Sequence, residues 1–132
     1  MIMVADASPL IFLAKVGRLD LIQAAKKADL HLSALVRDEV LVPGMAAEER
    51  RALDDFLAHA QVHPPRKRAS FATALSQADN DTLALAIQLR APFILADDRI
   101  LRAMAEAQGI RPLGTLGILL AALRQGILSK GE

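Results

Sequence analysis

Short apolar runs that stop at acidic residues stand at two places in the chain. Residues 2–5 stop at Asp6, and residues 93–96 stop at Asp97-Asp98. Runs of this length, bounded by turn signals, are typical of buried strands in a parallel sheet. Three weaker stretches complete the predicted strands: residues 30–32, a short edge strand that opens at Val62, and residues 110–113.

Apolar residues at helical spacing fill the intervals between these strands. We expect Ser8-Pro9 to cap and open a first helix over residues 10–14, and Ser33 to cap a helix that contains Glu39. Further helices are predicted over residues 19–25, 48–60, 75–89 and 100–108. A last helix is expected to follow a turn at residues 114–117 and to end at about residue 125. Strands that alternate with helices predict one α/β domain over residues 1–132, a three-layer α/β/α sandwich with a mainly parallel sheet.

The composition limits the classes of function. With 132 residues and 53% hydrophobic residues, the chain can bury a single core and is not a disordered segment. The net charge of +1 gives no overall attraction to nucleic acid, so such a role would need a local patch. The absence of cysteine excludes a disulfide scaffold and thiolate chemistry.

We expect a cytoplasmic protein with no membrane partner. The first apolar stretch has no basic leader and is interrupted by Asp6, Ser8 and Pro9, which makes a poor signal peptide. The longest other apolar run, residues 116–123, is far shorter than the ~20 residues that a membrane span needs.

Acidic residues follow two of the predicted strands. In open parallel sheets, ligands bind beyond the carboxyl ends of the strands, where Asp6 and Asp97-Asp98 are expected. A carboxylate there is costly unless a salt bridge or a bound cation compensates it. A helix cap or an ion pair explains one such acid equally well, but two acidic strand ends in one small domain favour a site.

Two helical stretches supply further acids. Glu39 lies in an otherwise apolar turn, and Asp79 and Asp81 flank Asn80 at the start of a long helix. Considered alone, Asp79 is better explained as the N-cap of that helix. Carboxylates that converge without Cys or His favour Mg²⁺ or Mn²⁺, which can activate water and stabilise charge on a phosphodiester. The three histidines share no ligand spacing, and we expect structural or solvated roles for them: His31, His59 and His63.

Basic residues that could contact phosphate lie in two places. Residues 66–68 form a dense basic cluster, for which a solvated loop is an equally good interpretation. Arg99 and Arg102 follow the acidic pair and are better placed to approach a substrate or the carboxylates of the site.

The order of these motifs resembles the PIN domain. The motifs are Asp6-x-Ser8, Ser33-x5-Glu39-Val40, an acid-led helix over residues 79–86, and a strand that ends in Asp97-Asp98. Two segments, ADASPLIFLAKVGRLDLI and DDRILRAMAEAQGIRPLGTLGILL, are similar to a prokaryotic subgroup akin to VapC-type toxins. The resemblance covers essentially the whole chain.

The resemblance implies an endoribonuclease in which three or four acids surround Mg²⁺ or Mn²⁺. Carried over by position, the first two acids are Asp6 and Glu39. The third is Asp79 or else Asp81, and the fourth is Asp98 or else Asp97. Ser8 matches a hydroxyl that supports such sites, and Thr115 matches a Gly-Thr-Leu-Gly motif of the subgroup. The implied partners are RNA, a small antitoxin protein and a second copy of the chain.

One segment departs from the pattern of the subgroup. Residues 78–81 read Ala-Asp-Asn-Asp where the subgroup usually has Gly-Glu-x-Glu. A second hypothesis is therefore a PIN-like module that binds RNA or a partner protein and has lost efficient catalysis.

Overall fold

A computed structural model describes residues 1–25, 27–64, 71 and 73–127 of the chain. The basic cluster at residues 66–68 lies outside these described residues. The strands are β1 (Ile2–Ala5), β2 (Asp29–Ser33), β3 (Gln61–His63), β4 (Phe93–Leu95) and β5 (Arg111–Leu113). The helices are α1 (Ala7–Lys15), α2 (Asp20–Ala25), α3 (Ala34–Val40), α4 (Ala47–Leu57), α5 (Gln77–Leu89), α6 (Arg99–Ala107) and α7 (Thr115–Arg124).

The strands form one sheet in the order β3-β2-β1-β4-β5, and each neighbouring pair is parallel. Alternate residues of β1 face opposite sides, because side chains alternate along a strand. Met3 and Ala5 pack in one apolar cluster with α1, α2, α3, α4 and α7, whereas Val4 packs in a second cluster with α5 and α6. The predicted α/β/α sandwich with a parallel sheet is therefore confirmed.

The strand order reverses between β1 and β4, which places a crevice beyond their carboxyl ends. The register pairs Ala5 with Leu95, and the backbone N–H of Asp6 donates to the carbonyl oxygen of Leu95 at 2.8 Å. Asp6 therefore leaves β1 beside the end of β4, and the segment that contains Asp97 and Asp98 begins at the same edge of the sheet.

Helix α1 begins earlier than predicted. Its N-cap is Asp6 rather than Ser8, which lies exposed in the first turn. The buried residues Ala7, Leu10 and Ala14 share one face and extend the apolar stripe of the helix to its first residue. Pro9 is tolerated at the third position because N–H groups of the first turn have no partner within the helix.

The predicted cap of α3 is confirmed, whereas the alternative role of Asp79 as a cap is wrong. The hydroxyl of Ser33 accepts a hydrogen bond from the N–H of Val36 at 3.2 Å. In α5 the cap is Ser76, whose hydroxyl accepts from the N–H of Asp79 at 3.1 Å. Asp79 thus lies inside the first turn, and its carboxylate is not needed for capping. Across the described residues, no helix is long and apolar enough to span a membrane.

Candidate active site

Asp6 is the buried centre of the acidic site. It links the end of β1 to α1 and is only 3% exposed. Its Oδ1 atom is buried and accepts no hydrogen bond from the residues that the structure describes. A carboxylate oxygen without a partner is costly in such surroundings, so this side chain favours either a proton or a cation.

Glu39 and Asp79 act electrostatically on Asp6. Burial raises the pKa of Asp6 to about 7, and repulsion from the Asp79 carboxylate is the next largest cause. A hydrogen bond with the Asp79 side chain and weaker repulsion from Glu39 act in the same direction, and the N–H of Ala7 opposes them. Loss of solvation also raises the pKa of Glu39, again with repulsion from Asp79. The structure therefore brings these three predicted acids together.

The three carboxylates provide the oxygen donors that hard divalent cations prefer. Within the described part of the chain, however, no group of three or more acidic or histidine side chains is already spaced to hold a metal ion. The donor chemistry and the partnerless oxygen of Asp6 fit a divalent cation, and the side chains would have to converge further to bind it.

Asp81 lies apart from these three acids. Two residues along a helix are related by a rotation of about 200° around its axis. The side chains of Asp79 and Asp81 therefore leave α5 on nearly opposite sides. Asp81 is 6% exposed, and its Oδ1 atom accepts a 3.3 Å hydrogen bond from Gln77 Nε2. Its buried Oδ2 atom has no partner in the described part of the chain. It lines a cavity of about 10 Å³ with Ser33 and His63, among others. This position favours Asp79 as the third acid of the site.

Asp97 and Asp98 both follow β4 but make different contacts. Asp98 caps α6, and its Oδ2 atom accepts from the N–H of Leu101 at 2.8 Å. Asp97 instead contacts the start of α7, through two hydrogen bonds from Thr115 at 2.7 and 2.6 Å. Both side chains are exposed, and neither is among the groups that raise the pKa of Asp6.

The predicted phosphate-binding arginines lie beside this segment. Arg102 donates from Nη1 to the carbonyl oxygen of Ala96 at 2.9 Å, so part of its guanidinium stabilises the backbone after β4. Arg99 is exposed at the first position of α6. The location agrees with an approach to substrate, but the contact of Arg102 with Ala96 was not evident from the sequence.

A cavity of about 360 Å³ lies between α1, the end of α3 and α4. Ile11, Val40 and Leu53 lie in its wall. Lys15 and Glu49 also line it and approach each other to 3.9 Å. None of the acids of the candidate site lines this cavity.

Two histidines form a pair that the sequence analysis missed. His31 Nδ1 and His63 Nε2 lie 2.8 Å apart, and His31 is 6% exposed. The parallel register pairs Ser33 with His63, so His31 and His63 leave neighbouring strands on the same face of the sheet. The expected structural role agrees with this contact, but spacing in the sequence could not indicate the pair without the register.

Comparisons with known proteins agree with this architecture. The DUF3368 family model, described as a PIN domain, matches residues 2–132. A PilT N-terminus domain protein from the hyperthermophilic archaeon Sulfolobus solfataricus P2 has a similar solved structure, with a TM-score of 0.68 and 15% identity. The match covers 93% of this chain and 94% of that one, and at this identity it shows the fold alone. No curated protein is significantly similar to the chain.

Proposed function

Because the chain belongs to the PIN domain family, we propose that it is a Mg²⁺- or Mn²⁺-dependent endoribonuclease that hydrolyses phosphodiester bonds of RNA. PIN domains have a nuclease-type fold, are generally hydrolases that act on RNA and usually bind a divalent metal. The observation that best supports the proposal is the buried Asp6 carboxylate, whose partnerless oxygen lies in the field of Glu39 and Asp79.

In this proposal Asp6, Glu39 and Asp79 hold the cation, with Asp98 as the fourth acid. When bound, the ion supplies an activated water and stabilises charge on the phosphodiester. Asp6 releases its proton as the ion binds, because proton and cation compete for the same carboxylate. The protein around Asp6 keeps bulk water away, which strengthens its interaction with a cation. Ser8 supports the site from the first turn of α1.

The substrate would enter beside α6. Arg99 is exposed next to the acidic segment and can contact a phosphate, while Arg102 has donors besides the one that binds Ala96. Arginine suits this role because its planar group donates two parallel hydrogen bonds to phosphate oxygens.

We further propose that the chain is the toxin of a VapC-like toxin–antitoxin pair in the cytoplasm. A small antitoxin would insert a basic side chain among the acids, since a cation of the partner can replace the metal charge there. A homodimer would use α7, where Leu116 and Leu120 are 69% and 43% exposed one turn apart.

The alternative function is a PIN-like module that binds RNA or a partner protein with weakened catalysis. Two observations favour it. Asp79 and Asp81 are shorter than the glutamates that the subgroup usually has, and the described residues contain no ready-made group of three metal ligands.

The test is cleavage of single-stranded RNA with Mn²⁺ or Mg²⁺. Asp6→Asn, Glu39→Gln and Asp79→Asn should each lower the rate by orders of magnitude, because each removes one charge of the site at nearly constant size. Asp81→Asn is the matched control on the same helix, and it should only weaken cleavage. Circular dichroism would verify that the variants fold.

Each outcome separates the hypotheses. Cleavage that survives a chelator or Asp6→Asn would contradict the metal mechanism. Loss of cleavage in Asp81→Asn but not in Asp79→Asn would move the third acid to Asp81. Binding of RNA without cleavage, with either metal, would support the weakened module instead.

A further inference from the structure

The segment that follows β4 is fixed at three points. The N–H of Ala96 donates to the carbonyl oxygen of Leu113 at 2.9 Å, and its own carbonyl accepts from Arg102 at 2.9 Å. Asp97 accepts two hydrogen bonds from Thr115, 18 residues later in the chain. These contacts tie the acidic segment to α6 and to the start of α7.

Thr115 uses both of its donors on the same carboxylate. Its backbone N–H donates to Asp97 Oδ1 at 2.7 Å, and its hydroxyl donates to Asp97 Oδ2 at 2.6 Å. The first N–H groups of a helix lack partners within the helix, and an anion there is favourable. Asp97 therefore satisfies the first N–H group of α7, and each of its oxygens accepts a hydrogen bond from Thr115.

Gly114 allows this close approach. A Cβ atom at position 114 would lie 2.7 Å from Arg102 Nη1 and 2.9 Å from Asp97 Oδ1. In the Gly-Thr-Leu-Gly motif, Gly114 thus leaves space for the Asp97 side chain, and Thr115 donates the hydrogen bonds to it.

Asp98 differs from Asp97 in the number of its carboxylate oxygens that accept hydrogen bonds. Its Oδ2 atom caps α6, and its Oδ1 atom accepts no hydrogen bond from the described residues. Asp98 thus keeps one oxygen without a hydrogen bond from the described residues, whereas each oxygen of Asp97 already accepts one from Thr115. The backbone at Asp97 sets the position of the Asp98 side chain that follows it.

We propose that Thr115 is a positioning residue that holds Asp97, and that Asp97 in turn holds Asp98 toward the metal-binding acids. The inference rests on the proposed function only in taking the site to bind a divalent cation. In this inference Asp97 supports the site and does not bind the metal. The Gly-Thr-Leu-Gly motif then has the role of holding Asp97 in place.

The test measures Mn²⁺ affinity by calorimetry, which does not depend on RNA cleavage. Thr115→Val keeps the shape of the side chain but removes its hydroxyl, so we expect affinity to fall about 10-fold, as is typical when a partner of a metal ligand is lost. Thr115→Ser should restore it. Asp97→Asn should resemble Thr115→Val, and the double variant should be no worse than either single one, because both break the same contact.

Thr82→Val is the matched control. Thr82 donates its hydroxyl to the carbonyl oxygen of Ala78 within α5, so the variant loses a buried hydrogen bond that involves no residue of this segment. Its stability should fall while its Mn²⁺ affinity remains that of the unmodified chain. If Thr115→Val does not fold, Asp97→Asn and Thr115→Ser decide the question, since they alter the contact from each side.

Two results would overturn the proposal. One is wild-type Mn²⁺ affinity in a folded Thr115→Val or Asp97→Asn chain. The other is a loss of Mn²⁺ binding in Asp97→Asn as complete as in Asp6→Asn, with Thr115→Val unaffected, which would make Asp97 a ligand. A wild-type chain that binds Mn²⁺ in this pattern but cleaves no RNA would contradict the proposed function and leave this inference standing.

Discussion

Asp6 has a carboxyl group whose surroundings disfavour its charged form. The side chain is buried, its Oδ1 atom has no partner among the described residues, and the charged group that acts most strongly on it is another carboxylate, Asp79. Natural proteins retain such groups chiefly where function requires them, because each one lowers stability. At the residue scale, Asp6 is at once the residue that follows β1, the N-cap of α1 and the centre of the acidic site.

The pKa of Asp6 predicts how stability depends on pH. With a pKa of about 7 when folded and about 3.9 when unfolded, Asp6 holds its proton longer in the folded chain. The free energy of unfolding should therefore fall as the pH rises from about 4 to 7 and stay low above that. Asp6→Asn should remove this loss, on the order of 4 kcal/mol at pH 8 without metal.

Urea unfolding at pH 4.5 and pH 8, with a chelator present, measures this difference. Asp55→Asn serves as the control, since Asp55 is exposed on α4. An equal pH dependence in the wild-type and Asp6→Asn chains would show that Asp6 titrates normally.

At the element scale, β3 is a short strand at one edge of the sheet. It has three residues, lies at the edge and pairs only with β2. The contact between His31 and His63 adds a side-chain bond across this pair. One ring must donate and the other accept, so the bond is lost when both rings are protonated.

We expect β3 to loosen at acidic pH. Burial lowers the pKa of His31, as does its neighbour His63, while Asp29 acts weakly in the opposite direction. The unfolded chain therefore takes up this proton first, and the stability that neutral His31 contributes is lost as the pH falls below about 6.5. Amide hydrogens of β3 should exchange faster at pH 5.5 than at pH 7.5, after correction for intrinsic rates.

His63→Gln should remove most of this difference, whereas His59→Gln should leave it unchanged. His59 is exposed after α4, and its ring forms a hydrogen bond with the backbone carbonyl of Asp55. A pH effect on β3 that persists in His63→Gln would mean that another group controls this edge.

At the scale of the whole molecule, the acids come from three separate elements. Asp6 follows β1, Glu39 lies on α3, and Asp79 lies on α5. An ion that binds them would connect helices on both faces of the sheet. Metal binding and global stability should consequently be coupled.

The thermal midpoint of the chain should rise with millimolar Mn²⁺ at pH 8. Binding to the folded state alone stabilises it by about 2.7 kcal/mol when the ion is present at 100 times its dissociation constant. Scanning calorimetry of the wild-type and Asp6→Asn chains measures the shift, with Glu48→Gln as the exposed control. The same shift in all three chains would indicate binding elsewhere.

Local patterns in the sequence determined the elements, their order and several of their ends. The apolar runs before Asp6 and Asp97 predicted β1 and β4, and the Ser33 cap of α3 was correct because capping involves only neighbouring residues. The start of α1 was misplaced, since Ser8-Pro9 has the local signals of a cap. The burial of Ala7 against the sheet, which extends the helix to Asp6, is a tertiary effect.

Only the tertiary structure decided which distant side chains meet. The sequence left Asp79 and Asp81 as alternatives, and the orientation of α5 against the sheet places Asp79 beside Asp6. The register of β2 and β3 joins His31 to His63, and the packing of α7 joins Thr115 to Asp97. Hydrophobic periodicity reports which face of an element is buried, but such pairings depend on strand register and helix orientation, which are set only when all elements pack together.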